Sequence, residues 1–95
     1  MTVYVIAQLK FTDEARYRAY QARFFDVFKN SGGRLLAADE KPAVLEGEWA
    51  RDKVVVMSFV DEQQARDFLD SPAYREISKD RIAGAETIGL LVHGL

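Results

Sequence analysis

Three segments of this chain are apolar on both of their alternating faces, and few folds can accommodate that. In Thr2 to Lys10 one alternation reads Val3, Val5, Ala7, Leu9 and the other Tyr4, Ile6, Gln8. In Val54 to Val60 one reads Val55, Met57, Phe59 and the other Val54, Val56, Ser58, Val60. In Thr87 to His93 one reads Ile88, Leu90, Val92 and the other Thr87, Gly89, Leu91, His93. Successive side chains of a strand point to opposite faces, so each strand has one purely apolar face and one apolar face interrupted by polar residues. A sheet with one face in water shows hydrophobic–polar alternation instead. Both faces therefore read as covered, the second around something partly polar. The pattern speaks to architecture and to a cavity; it names no reaction.

The intervening segments read as helices. Thr12 is placed as an N-cap, with Asp13 and Glu14 in a first turn where acids complement the helix dipole. The helix is expected to run to about Asn30. Tyr17, Tyr20, Phe24, Val27 and Phe28 form its apolar stripe, which reads as core rather than as a cofactor box. Ser31-Gly32-Gly33 ends it. Arg34 to Asp39 reads as a strand, Lys41-Pro42 breaks it, Ala43 to Trp49 reads as a short extended segment, and Ala50 to Lys53 as a polar turn. Asp61 with Gln64 opens a second helix in a capping-box-like pattern. Ser71-Pro72 restarts it, with proline at the first helical position.

The order β-α-β-(β)-β-α-β is that of an α+β, ferredoxin-like βαββαβ fold with an antiparallel sheet. Its 95 residues suit a single domain spanning 1–95. Two helices cover one face of a four-stranded sheet and leave the other bare. The pure faces are assigned to the helices, and the mixed faces (Tyr4, Ile6, Gln8; Val54, Val56, Ser58; Leu91, His93) are expected to point outward. An apolar area of that size marks an interface. A two-fold homodimer packed sheet to sheet, enclosing a barrel, is the economical solution.

Composition narrows the function. A net charge of −2, with thirteen basic residues scattered among fifteen acids, offers no basic stripe for nucleic acid or an anionic membrane. The absence of cysteine excludes disulfides, thiolate metal sites and cysteine nucleophiles. With one histidine and no carboxylate–histidine spacing, no metal site is expected. Gly32-Gly33 ends a helix rather than opening one, the wrong side for phosphate. No secretory signal or apolar run of transmembrane length is visible, so a cytoplasmic protein is the default expectation.

Tyr4, Thr12-Asp13, Tyr20, Gly33, Glu46-Gly47, Val54-Val55-Val56, Phe59, Ser71-Pro72 with Tyr74, Arg81 and Gly94 together resemble a small domain-of-unknown-function family within the dimeric α+β-barrel superfamily. The resemblance spans nearly the whole chain, and the combination of Glu46-Gly47 with Ser71-Pro72-x-Tyr74 is its specific part. It implies a ferredoxin-like monomer whose sheet pairs with a twin. The wider superfamily includes cofactor-independent monooxygenases, haem-degrading enzymes, lactone isomerases and ligand-sensing domains. Members of the family often carry glutamates where this chain has Ser58 and His93, so a mechanism built on paired family acids does not transfer.

Glu46, in an apolar neighbourhood, reads either as a general base with a raised pKa or as an edge-strand carboxylate that faces water or an arginine. His93 is the other candidate acid–base, or a strand-end residue without a role; a lone haem ligand is the remaining option. Ser58 and Gln8 are candidate substrate-orienting groups, Ser58 lacking the elbow and base of a nucleophile. Tyr4, Trp49 and Tyr74 are candidate aromatic walls of a pocket. Arg81 shares a helix face with Tyr74 and is expected to reach an acid such as Glu46 or Asp13, as an anion site or a structural pair. The expected function is binding or cofactor-free transformation of a small, mostly apolar or aromatic molecule in the barrel cavity enclosed by the paired sheets, the alternative being a non-catalytic ligand-binding or structural dimer with a packed interior.

Overall fold

The computed structural model describes residues 1–95. Strand β1 (Val3–Phe11) leads into helix α1 (Glu14–Phe28), followed by β2 (Arg34–Asp39), β3 (Lys53–Phe59), α2 (Glu62–Leu69), α3 (Pro72–Gly84) and β4 (Ala85–His93). The four strands form one sheet in the order β2-β3-β1-β4, every neighbouring pair antiparallel. This is the ferredoxin-like α+β fold expected from the element order, with the helices on one face.

Local chemistry sets the helix ends. Asp13, one residue later than expected, caps α1 by accepting from the Arg16 N–H at 3.3 Å, and the helix stops at Phe28. Asp61 caps α2 through the Gln64 N–H, while the Gln64 side chain accepts from the Val60 N–H at 2.9 Å. Ser71 caps α3 with Pro72 in its first turn. Gly32 and Gly47 both hold φ at 80°, the left-handed geometry that glycine adopts without Cβ strain.

The core lies between the sheet and α1 with α3. Val3, Leu9, Tyr17 and Ile77 are its most completely buried large side chains, and burying each stabilises the fold by roughly 1.5–3 kcal/mol. An aromatic chain runs Tyr17–Tyr20–Phe24–Phe28 along α1 and continues into Phe68 and Tyr74, with neighbouring ring centroids 4.7–6.2 Å apart. At the far end, α3 closes onto α1: the Gly84 carbonyl accepts from the N–H groups of Thr12 and Asp13 at 2.9 and 3.1 Å. A Cβ on Gly84 would fall 2.8 Å from the Asp13 carbonyl oxygen and closer still to the Tyr17 backbone nitrogen.

Three expectations are corrected. Ala43 to Trp49 forms no strand; β2 pairs directly with β3, whose other side is taken by β1, and the connection between them stays outside the sheet. Lys53 belongs to β3 and is buried rather than part of a turn. Most consequentially, the two faces of β4 are exchanged. The register pairs Val3 with His93, Val5 with Leu91, Ala7 with Gly89 and Leu9 with Thr87, which puts Thr87, Gly89, Leu91 and His93 on the helix side. Ile88, Leu90 and Val92 point outward and are 41–49% exposed. Both faces of this strand are apolar enough to sit inward, so its composition does not decide the matter. Pairing along β1 does.

Candidate functional site

The register just described creates a row of small side chains across the sheet under the helices. Ala38 pairs with Val55, Val55 with Ala7, and Ala7 with Gly89, one residue from each of the four strands. The next row, Leu35–Met57–Val5–Leu91, is large. Helices supported by large rows cannot sink onto a small one. The result is a cleft of about 590 Å³ between sheet and helices, within the range of small-molecule sites. A Cβ added to Gly89 would meet no atom within 4 Å. Above the row stand Tyr17, Tyr20, Phe24 and Tyr74, so the aromatic stripe of α1 is at once core and cleft wall.

The polar groups of the cleft are few and specific. Tyr20 and Tyr74 join their hydroxyls at 3.0 Å. Lys53 is 5% exposed; its Nζ donates to Gln21 Oε1 at 3.3 Å and lies 5.0 Å from the Tyr17 ring centroid. Burial depresses its pKa below the ordinary lysine value, with Arg18 pushing the same way and Glu40 opposing. Arg81 Nη1 donates to Thr87 Oγ1 at 3.0 Å, and its Nε is buried without a partner. Burial raises the Tyr17 pKa to about 12 and that of Tyr20 further still, so both phenols stay protonated at neutral pH. Outside, Arg18 grips Glu40 with two bonds of 2.7 and 2.8 Å and holds its pKa below the usual carboxylate range.

A family model described as a domain of unknown function, DUF1330, matches residues 2–95. The chain belongs to the DUF1330 family. Solved structures show the same fold. RPA0582, a protein of unknown function from Rhodopseudomonas palustris, superposes with a TM-score of 0.83 at 18% identity, over 99% of this chain and 82% of that one. SnoaB, a cofactor-independent oxygenase from Streptomyces nogalater, gives 0.73 at 15% identity, over 99% and 93%. A dimeric ferredoxin-like protein of unknown function from Thermobifida fusca gives 0.71 at 13% identity, over 99% and 92%. At these identities the likeness is one of fold. No curated protein matches the chain.

Against this DUF1330 fold the residues singled out in the sequence divide between two places. Tyr74 and Arg81 line the cleft. Tyr4, Gln8 and Ser58 lie on the opposite face of the sheet, where Trp49 Nε1 donates to Gln8 Oε1 at 3.1 Å. Tyr4 and Ser58 border a second depression of about 380 Å³ beside Arg34 and Leu36. Glu46 is exposed in the connection between β2 and β3, outside the apolar setting expected for it. His93 lies on the helix side, its Nε2 3.1 Å from Glu62 Oε1, and is exposed. Neither lines the cleft. Arg81 bonds Thr87 in place of an acid. The polar cleft residues that sequence reasoning passed over are Lys53, Thr87, Gln21 and Arg66. A usable signal existed for the first: Lys53 shares the alternation of Val55, Met57 and Phe59. No helix is long and apolar enough to cross a membrane.

Proposed function

We propose that this protein is a homodimer that binds a small, mostly apolar or aromatic molecule in the cleft beneath its helices. The observation that carries the reading is the Ala38–Val55–Ala7–Gly89 row, which leaves space in a core otherwise filled by aromatic rings. Tyr74 and Arg81 are the ligand contacts carried over from the sequence, and Tyr20, Lys53 and Thr87 join them. Glu46 and His93 have no part in this reading, since no acid and no histidine lines the cleft. The fold of SnoaB, a cofactor-independent oxygenase, supports chemistry performed without a bound group.

The dimer is supported by the outward face. Ile88, Leu90 and Val92 lie there beside the half-buried Ile6, Val54 and Val56, an apolar surface of the kind that marks an interface. A ferredoxin-like neighbour of the same architecture is dimeric.

Titration with 2-naphthylmethanol, a neutral aromatic probe, tests the cleft. Wild type binds it saturably, and Gly89→Leu, which fills the small row, loses at least tenfold in affinity. Equal binding by the two proteins refutes the assignment.

A further inference from the structure

Building on the proposed binding role of the cleft, we infer that its ligand is an organic anion, a carboxylate on an apolar or aromatic body, received by the guanidinium of Arg81 with Lys53 as the second charge. The inference rests on charge and on an unmet donor. The cleft wall contains Lys53, Arg66 and Arg81 but no aspartate or glutamate. Arg66 is neutralised by Glu62 at 2.6 Å. The other two have no carboxylate within ion-pairing distance: Lys53 bonds only the neutral Gln21, and Arg81 only the neutral Thr87. Glu40, the acid whose field reaches Lys53, is already held by the Arg18 fork. A nearly buried ammonium and a half-buried guanidinium thus share one cleft without a counter-charge, and buried charges are ordinarily paired.

The geometry selects the kind of anion. Arg81 spends Nη1 on Thr87, which fixes that edge of the guanidinium. Its other edge carries Nη2–H and the orphaned Nε–H, two parallel donors spaced for the two oxygens of a carboxylate. The ligand is inferred to draw that edge, closed to solvent in the free protein, toward the cleft. Lys53, Leu9 and Thr87 sit side by side on adjacent strands, so the backbones of Lys53 and Thr87 stand about 10 Å apart, two strand spacings. That width of sheet accommodates a fused aromatic ring over the small row and under the tyrosines, with its carboxylate turned to Arg81.

The test compares 2-naphthoate with 2-naphthylmethanol by calorimetry at pH 7, on wild type, Arg81→Lys and Thr87→Val. Wild type is expected to prefer the carboxylate at least tenfold. Arg81→Lys keeps the charge but loses the fork, and the preference for the carboxylate over the alcohol falls to about threefold or less. Thr87→Val, which releases the anchor, gives an intermediate preference and serves if Arg81→Lys does not fold. Equal affinity of wild type for the two probes overturns the anionic ligand while leaving the cleft intact. An undiminished preference in both variants overturns the role of Arg81. Failure of both probes to bind wild type overturns this inference together with the binding role beneath it.

Discussion

The phenolic oxygens of Tyr20 and Tyr74 stand 3.0 Å apart in the buried wall of the cleft, a single hydrogen bond that ties α1 to α3. Each hydroxyl is the other's only side-chain partner. Removing one therefore strands the other in an apolar setting, at a cost of about 1–3 kcal/mol, whereas removing both replaces a satisfied pair by two phenyl rings. Tyr20→Phe and Tyr74→Phe are each expected to lower stability by that amount in urea titrations. The double variant should lose less than the sum of the two. Strictly additive losses would show that the hydroxyls act independently.

Alkaline pH should act through the same wall. The Tyr17 pKa is raised by burial from 10.0 to about 12, and burial raises that of Tyr20 as well. A raised folded pKa contributes stability that is intact below the unfolded value and lost as pH climbs through the folded one. The stability from Tyr17 thus declines between pH 10 and about 12, by on the order of 2–3 kcal/mol. Lys53 has the opposite sign. Its depressed pKa means that the cost of burying its charge is relieved as pH rises toward the ordinary 10.5. Stability should climb on the mildly alkaline side and then fall. Tyr17→Phe is expected to weaken the fall and Lys53→Met to flatten the climb, both followed by urea midpoints against pH.

Two glycines should respond in opposite ways to alanine. At Gly84 the new methyl meets backbone atoms of Asp13 and Tyr17, which cannot rotate aside. Gly84→Ala should cost about 1–3 kcal/mol, the range for forcing volume into a filled site. At Gly89 the methyl enters open space in a strand. Gly89→Ala should be neutral or stabilising by up to about 1 kcal/mol. Thermal melts of the two variants distinguish them directly.

The outward sheet face gives a prediction about assembly. Ile6 sits on the central strand β1, paired with Val56 and Leu90, and points away from the helices. Ile6→Lys should leave the monomer folded and place a charge in the proposed interface. Sedimentation at micromolar concentration is expected to show wild type at twice the chain mass and the variant at the chain mass. Identical sedimentation of the two excludes this face as the interface.

Much of the fold was legible because its signals are local. Asp61 and Ser71 announce their helices by capping, Pro72 fits a first turn, and the alternations of β1 and β3 point inward as their residues suggest. The failures have one physical root, which is that they depend on partners. For β4 either face was apolar enough to be core, and only its register against Val3, Val5 and Ala7 decides between them. Ala43 to Trp49 takes no place in the sheet, where β3 already has β2 and β1 on its two sides, a fact about topology rather than propensity. Within the site, Tyr74 and Arg81 were identifiable from their shared helix face. Lys53 was passed over although it shares the inward alternation of Val55, Met57 and Phe59, because a lysine beside a turn reads as solvent-exposed until its strand is known to begin one residue earlier. The position of Glu46 likewise depends on a connection whose path its own residues do not set.

The row of small residues has an evolutionary corollary. Ala38, Val55, Ala7 and Gly89 determine how long and how thick a guest the cleft admits, while the neighbouring row of Lys53, Leu9 and Thr87 holds the charged lysine and the anchor of Arg81. Capacity and head-group recognition are thus written in adjacent but separate lines of the same sheet. A lineage could lengthen or shorten its ligand by exchanging one methyl-sized side chain and leave every polar donor where it was. Relatives that differ at position 89 alone should differ in the size of molecule they take, and share its chemistry.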